Sequence, residues 1–149
     1  MILPDFKAFP RVGRIIGLDW GARRTGVAVS DASREFVFTR PAILTPRGDT
    51  LWARRVAELA VAENAVGIVI GMPVHADGTP SEICDDIRTN AAQVCTYVDL
   101  PVCFIEENLT SVAAQESMGK VRRADIKQRL DSEAARVILE NAIAVMRRG

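Results

Sequence analysis

The chain is poor in the residues on which much protein chemistry depends. It has one histidine, His75, in 149 residues, so a Ser-His-Asp or Cys-His nucleophile, or a histidine-rich metal site, would have to run through that single side chain. The three cysteines, Cys84, Cys95 and Cys103, form no Cys-x-x-Cys pair and are odd in number. That excludes a zinc knuckle and a thioredoxin-type motif and argues against a disulfide framework. Aromatic residues make up 5% of the chain, too few for a surface that grips single strands chiefly by stacking on bases. Nineteen basic and nineteen acidic residues cancel, so the overall basic excess of the simplest nucleic-acid binders is missing. The longest apolar run, residues 66–74, is interrupted by two glycines and a proline and falls far short of the ~20 residues of a membrane span. The opening MILPDFKAFPRV carries Asp5 and two prolines and does not read as a signal peptide. No membrane association and a cytoplasmic location are the expectations.

What is present describes one ordinary domain. With 48% apolar and 26% charged residues, and no repeat or low-complexity linker, a chain of this size buries about two thirds of its unfolded surface. Residues 1–12 read as an N-terminal extension with no assigned role, and residues 13–149 as a single domain. Apolar periodicity gives a strand at 14–19, a turn with Gly21 and Gly26, a strand at 27–30 and a third at 36–38, with 42–44 extending it or forming a loop. Asp49 or Thr50 caps a helix with Trp52, Val56, Leu59 and Ala60 on one face. Residues 66–70 form a central strand buried on both sides, followed by the loop GMPVHADGT. Ser81 caps a helix with the stripe Cys84, Ile87, Ala91, Cys95 and Val98. A strand at 102–105 ends in Glu106 and Glu107. Thr110 or Ser111 caps a helix containing Val112 and Ala114. After a basic stretch, a last helix starts at Asp131 or Ser132 and buries Ala135, Ile138, Leu139, Ala142 and Met146. Three strands followed by alternating helices and strands imply a mixed sheet covered on both faces.

Ligands of such sheets sit at the carboxyl ends of the parallel strands, and several acids fall there. Asp19 closes the first strand, among Gly17, Gly21 and Gly26, which let an anionic ligand approach the backbone. Glu106 and Glu107 point to opposite faces, so only one of them shares a side with Asp19. Asp131 lies four residues before Ala135, above the core-facing stripe of the last helix. Singly, each has a plain structural explanation: a turn aspartate, a solvated charge before a helix, an N-cap. Together, three carboxylates without histidine suit Mg²⁺ or Mn²⁺ and the hydrolysis of phosphate esters.

The segments GLDWGARRTGVAVSD, VIGMPVHADGT, EENLTS and LDSEAARVILE, in that order and spacing, resemble the YqgF-type pre-16S ribosomal RNA nucleases. That family is related to Holliday-junction resolvases and has a ribonuclease H-like fold. The resemblance implies an α/β domain with a five-stranded mixed sheet of order 3-2-1-4-5, its second strand antiparallel, and helices on both faces. It implies that Asp19, Glu107 and Asp131 hold the metal, and that the reaction matures the 5′ end of 16S rRNA. Glu107 is preferred to Glu106 because it matches the glutamate of the family's Asp-Glu-Arg motif. Here that motif reads Glu106-Glu107-Asn108, so a cation beside the site is replaced by an amide, for which Arg23 or Arg24 would compensate. Gly71, on the strand between those of Asp19 and Glu107, leaves the gap between them unblocked.

Charge is distributed unevenly despite its zero sum. Lys120, Arg122, Arg123, Lys127 and Arg129 stand against one acid, Asp125, just before Asp131. Such a stretch is a solvated charge run or a phosphate-binding patch, and its position favours the patch, with backbone and shape recognition rather than base stacking. The expected partners are a nucleic acid, precursor rRNA first and branched DNA second, and the pre-ribosomal particle that carries such RNA, with the protein a monomer or homodimer. Two other readings remain open: a catalytically weak RNA-binding assembly factor, and a nucleotide-binding module of the sugar-kinase or actin type, for which the chain supplies only one of the two domains.

Overall fold

A computed structural model describes residues 1–21, 24–44, 51–75, 77, 79–108 and 123–148, with the backbone alone for residue 108 and residues 123–132. The described residues hold six strands, β1 (Ile2–Leu3), β2 (Ile15–Asp19), β3 (Arg24–Ser30), β4 (Val37–Leu44), β5 (Gly67–Val74) and β6 (Val102–Asn108). The described helices are α1 (Trp52–Ala62), α2 (Cys84–Tyr97) and α3 (Arg123–Arg148). The strands form one sheet in the order β1-β6-β5-β2-β3-β4. β3 runs antiparallel to β2 and β4, whereas β2, β5, β6 and β1 are parallel. With β1 set aside, this is the expected 3-2-1-4-5 order with its second strand reversed.

Alternation along the strands divides the core. Ile16, Leu18, Ile68, Ile70 and Val102 face a cluster with Trp52 and Val56 of α1 and Ile87 and Val94 of α2. Ile15, Val69 and Cys103 face the other way, toward Ala135, Ile138, Leu139 and Ala142 of α3. β5 carries apolar side chains to both faces, which is why its sequence reads as a continuous run. Each such aliphatic chain taken fully out of water contributes about 1.5–3 kcal/mol. In the α1 layer the Trp52 indole donates a 2.8 Å hydrogen bond to the buried Thr25 hydroxyl.

Several boundaries differ from the sequence reading. The first residues are part of the sheet: β1 pairs in parallel with β6, and Phe9 is 3% exposed, its ring filling the space over Gly67. A two-residue strand carries too little periodicity to be read from sequence. β5 continues through GMPV to Val74, and β6 through Glu106 and Glu107 to Asn108, so much of the expected loop and both glutamates belong to strands. β4 is continuous from Val37 to Leu44, with Pro41 tolerated because the strand lies at the sheet's edge. α2 starts at Cys84 after Ile83 rather than from a Ser81 cap. The Ser81 carbonyl accepts from the Cys84 amide, and Asp85 and Asp86 favour the helix terminus by charge instead. Its buried stripe takes Val94 where Cys95 was expected, and Cys95 lies half-buried beside it.

The largest difference is α3. It begins at Arg123, not at Asp131 or Ser132, so the basic stretch from Arg123 onward is helical and Asp131 lies two turns inside. No glycine or proline interrupts residues 123–148, and strong helix formers dominate them. The expected caps Asp49, Thr50, Thr110 and Ser111, the helix with Val112 and Ala114, and Arg23, Lys120 and Arg122 lie outside the described residues. The far end of α3 is tied to the β2–β3 side. The Arg34 guanidinium donates to the Gly13 carbonyl at 2.9 Å and to the Met146 sulfur, and Arg147 donates to the Arg34 carbonyl at 2.9 Å.

Candidate functional site

Asp19 is the last residue of β2, half-buried, and stands directly opposite Gly26 of β3. The missing side chain at Gly26 coincides with an irregularity in the β3–β4 register between Thr25 and Val27, a place where strands bend beside sites. Gly21 closes the turn beyond Asp19. A Cβ there would collide with the Arg24 carbonyl oxygen, so the turn requires a residue without one. Arg24 opens β3 opposite Leu44, at the same rim.

Register places the other groups. β2 pairs β5 with Leu18 opposite Ile70, which sets Gly71 beside Asp19. β5 pairs β6 with Gly71 opposite Ile105 and Pro73 opposite Glu107. Asp19 and Glu107 are thus separated by one strand, or about 10 Å between strand axes. Both fall on the α3 face, since they alternate with Leu18 and Phe104 of the opposite layer. Glu106 takes the other face, where it is exposed and lines a groove of about 540 Å³ with Leu3, Phe104, Cys84 and Arg88. Glu107, and not Glu106, is thus the glutamate on the side of the sheet that Asp19 faces.

Glycines let the helix come close. A Cβ on Gly17 would lie 2.8 Å from Cβ of Leu139 and 3.1 Å from the Ala135 carbonyl oxygen. On Gly71 it would collide with Cδ1 of Ile138 and lie 3.1 Å from Oε2 of Glu107. Gly71 therefore does not leave an empty gap, as the sequence suggests. Ile138 fills it, and the Glu107 carboxylate closes on the same point. Residue 131 sits four positions before Ala135 and seven before Ile138, on the stripe of α3 that meets the sheet. Its side chain, like those of Asn108, Arg123 and Lys127, lies outside what the structure describes. His75, after β5, donates its backbone amide to Thr79.

Burial pushes the Glu107 carboxyl above the ordinary glutamate range. A half-buried carboxylate whose ionisation is opposed by desolvation is a good partner for a cation that would offset its charge. Asp19 and Glu107 offer hard oxygen donors on one face of the sheet, the donor chemistry that suits a divalent cation. Among the described residues no three His, Cys, Asp or Glu side chains form a metal-holding group. In metal-free protein, Glu107→Gln is expected to raise the melting temperature at pH 8, because the amide carries no charge for burial to oppose. Because the folded carboxyl binds its proton more tightly than the unfolded one, wild-type stability recovers as pH falls through the folded value. The gain should therefore close toward the ordinary glutamate range, near pH 4. Melting curves across that window check it, and a lower melting temperature for the variant at pH 8 contradicts it.

Residues 13–144 match the RuvX family, described as Holliday junction resolvase. A Rhodopirellula baltica protein named "Putative pre-16S rRNA nuclease" is 34% identical over 145 residues, with 93% of this chain and 81% of that protein covered. A Maridesulfovibrio salexigens protein of the same name is 32% identical over 133 residues, covering 88% and 98%. Among solved structures, T. thermophilus RuvC in complex with Holliday junction substrate aligns with a TM-score of 0.55 at 15% identity, over 92% of this chain and 96% of that one. A second Thermus thermophilus RuvC structure aligns at 0.52 and 12% identity, over 91% and 96%. The structural likeness speaks to the fold and the sequence match to the family. The chain has the ribonuclease H-like fold of RuvC and belongs to the RuvX family.

Proposed function

We propose that this protein is a divalent-metal-dependent nuclease that hydrolyses phosphodiester bonds in the 5′ maturation of pre-16S rRNA. The observation that carries the reading is the placement of Asp19 and Glu107 on one face of the sheet, two strands apart, beneath the helix stripe that includes residue 131. The names of the relatives support the substrate, and membership of the RuvX family supports the chemical class.

Asp19, Glu107 and Asp131 would hold Mg²⁺ or Mn²⁺, which when bound supplies a Lewis acid for the scissile phosphate and a deprotonated water. The chain's own residues do the rest. The partly desolvated Glu107, whose ionisation burial opposes, would be stabilised as a carboxylate by a cation beside it. Gly21 and Gly26 keep side chains away from the Asp19 rim. Arg123 and Lys127, in the first turns of α3, and Lys120, Arg122 and Arg23 would neutralise backbone phosphates, making binding strongly salt-dependent. Asn108 would hydrogen-bond a phosphate oxygen without adding charge, leaving Arg24 to supply a cation at the rim.

The family description and the RuvC neighbour favour branched DNA as a second substrate reading. A cleavage assay on a precursor-rRNA fragment and a four-way DNA junction in parallel, with and without Mn²⁺, tests both. Mn²⁺-dependent cutting of the RNA at its 5′ flank is the expected result. Cutting confined to the junction moves the assignment to a resolvase. Salt-sensitive RNA binding without cleavage of either substrate would leave an assembly factor and overturn the nuclease.

A further inference from the structure

The geometry points to Ile138 as a positioning residue for Glu107, an inference that rests on the nuclease reading for its consequence but not for its geometry. Ile138 lies on the apolar stripe of α3 and is 1% exposed, a position any helix on a sheet would fill with an aliphatic chain. What sets it apart is the strand beneath. At Gly71 the sheet presents no side chain. Ile138 enters that space, with Cγ1 3.0 Å from where a Cβ would stand, and Oε2 of Glu107 approaches the same point to 3.1 Å. The carboxylate arrives from β6, the isoleucine from α3, and the absent side chain belongs to β5.

A glutamate at a strand end ordinarily samples several rotamers, and holding a metal would require it to give up that freedom at the moment of binding. Here the two sides of the carboxylate's path are already set. Bare backbone at Gly71 lets the side chain fold back across β5 rather than out into solvent. The Ile138 tip closes the helix side and stops it moving farther inward. The carboxylate is thereby held between the strands of Asp19 and Glu107 before any cation is present, as a supporting residue holds a ligand in a preorganised site. In this arrangement Ile138 acts through Glu107 alone.

The test separates positioning from packing. Ile138→Val removes only the Cδ1 methyl, and Ile138→Ala removes the whole tip. Ile143→Ala, in the same buried cluster but farther along α3, serves as a packing control. Mn²⁺ binding, measured by calorimetry on folded protein, is expected to weaken about tenfold in Ile138→Ala and less in Ile138→Val, and to stay at the wild-type value in Ile143→Ala. A second readout needs no metal. Three-bond couplings about χ1 of Glu107, from selectively labelled protein, should report one rotamer in wild type and averaging in Ile138→Val. If wild type and Asp19→Asn bind Mn²⁺ equally, the metal assignment fails while the couplings still decide the positioning. Averaged couplings in wild type, or equal loss of Mn²⁺ affinity in Ile143→Ala, overturn the inference. Ile138→Val folds under any reading, because Ile→Val is among the mildest core changes.

Discussion

Asp19→Asn is expected to lower Mn²⁺-dependent cleavage by about a thousandfold or more, equivalent to roughly 4 kcal/mol of lost transition-state stabilisation. The substitution keeps the size and shape of the side chain and one acceptor oxygen, so it leaves the end of β2 and its pairing with Gly26 in place. What it removes is one of the charges that would hold the cation. Asp19 is only half-buried, so the amide is readily solvated and the melting temperature of metal-free protein should stay close to wild type. Initial rates on the substrate wild type cleaves, alongside calorimetric Mn²⁺ titration, check this. Loss of both activity and metal binding with the fold intact is the expected pattern. A variant that cleaves at the wild-type rate removes Asp19 from the site and with it the metal reading.

The layout of this site was legible in the sequence to the extent that it depends on period and order. Asp19 follows Ile15 and Gly17 on one face by alternation, and the same alternation separates Glu106 from Glu107. Both relations hold because a parity argument survives small errors in where a strand ends. Boundaries fared worse. β6 continues through both glutamates, and β5 through GMPV, because pairing with neighbouring strands extends the ladder past the point where the apolar signal stops. α3 reaches back to Arg123 because lysine and arginine are good helix formers, and a cluster of charge reads equally well as a loop. Asp131 is therefore an interior helical residue, and the N-cap explanation for it is gone. The role of Gly71 was half visible. That it offers no side chain follows from the sequence, but what enters the space in its place is a tertiary fact, and no periodicity singles out Ile138 from Leu139 or Ala135.

Gly17→Ala is expected to cost about 2–3 kcal/mol, a larger loss than Gly71→Ala, although both add one methyl under the same helix. The difference lies in what each methyl meets. Above Gly17 the nearest atoms are Cβ of Leu139 at 2.8 Å and the carbonyl oxygen of Ala135 at 3.1 Å, both fixed to the helix backbone. Neither can swing aside, so α3 must lift from β2 by a few tenths of an ångström along a seam where Ala135, Ile138, Leu139 and Ala142 are all fully buried. Above Gly71 the obstacles are the end of an isoleucine and a carboxylate oxygen, which can rotate away at lower cost. The two variants should therefore diverge in opposite ways. Gly17→Ala should lower the denaturation midpoint strongly, by about 6 °C in thermal melts. Gly71→Ala should lower it less but displace the Glu107 carboxylate and weaken Mn²⁺ binding more. Gly17 is also two residues from Asp19 on the same strand face, so lifting the helix there moves residue 131 away from Asp19. Equilibrium denaturation and Mn²⁺ titration of both variants decide the matter. Wild-type stability in Gly17→Ala would mean that α3 does not seat on β2 at this glycine.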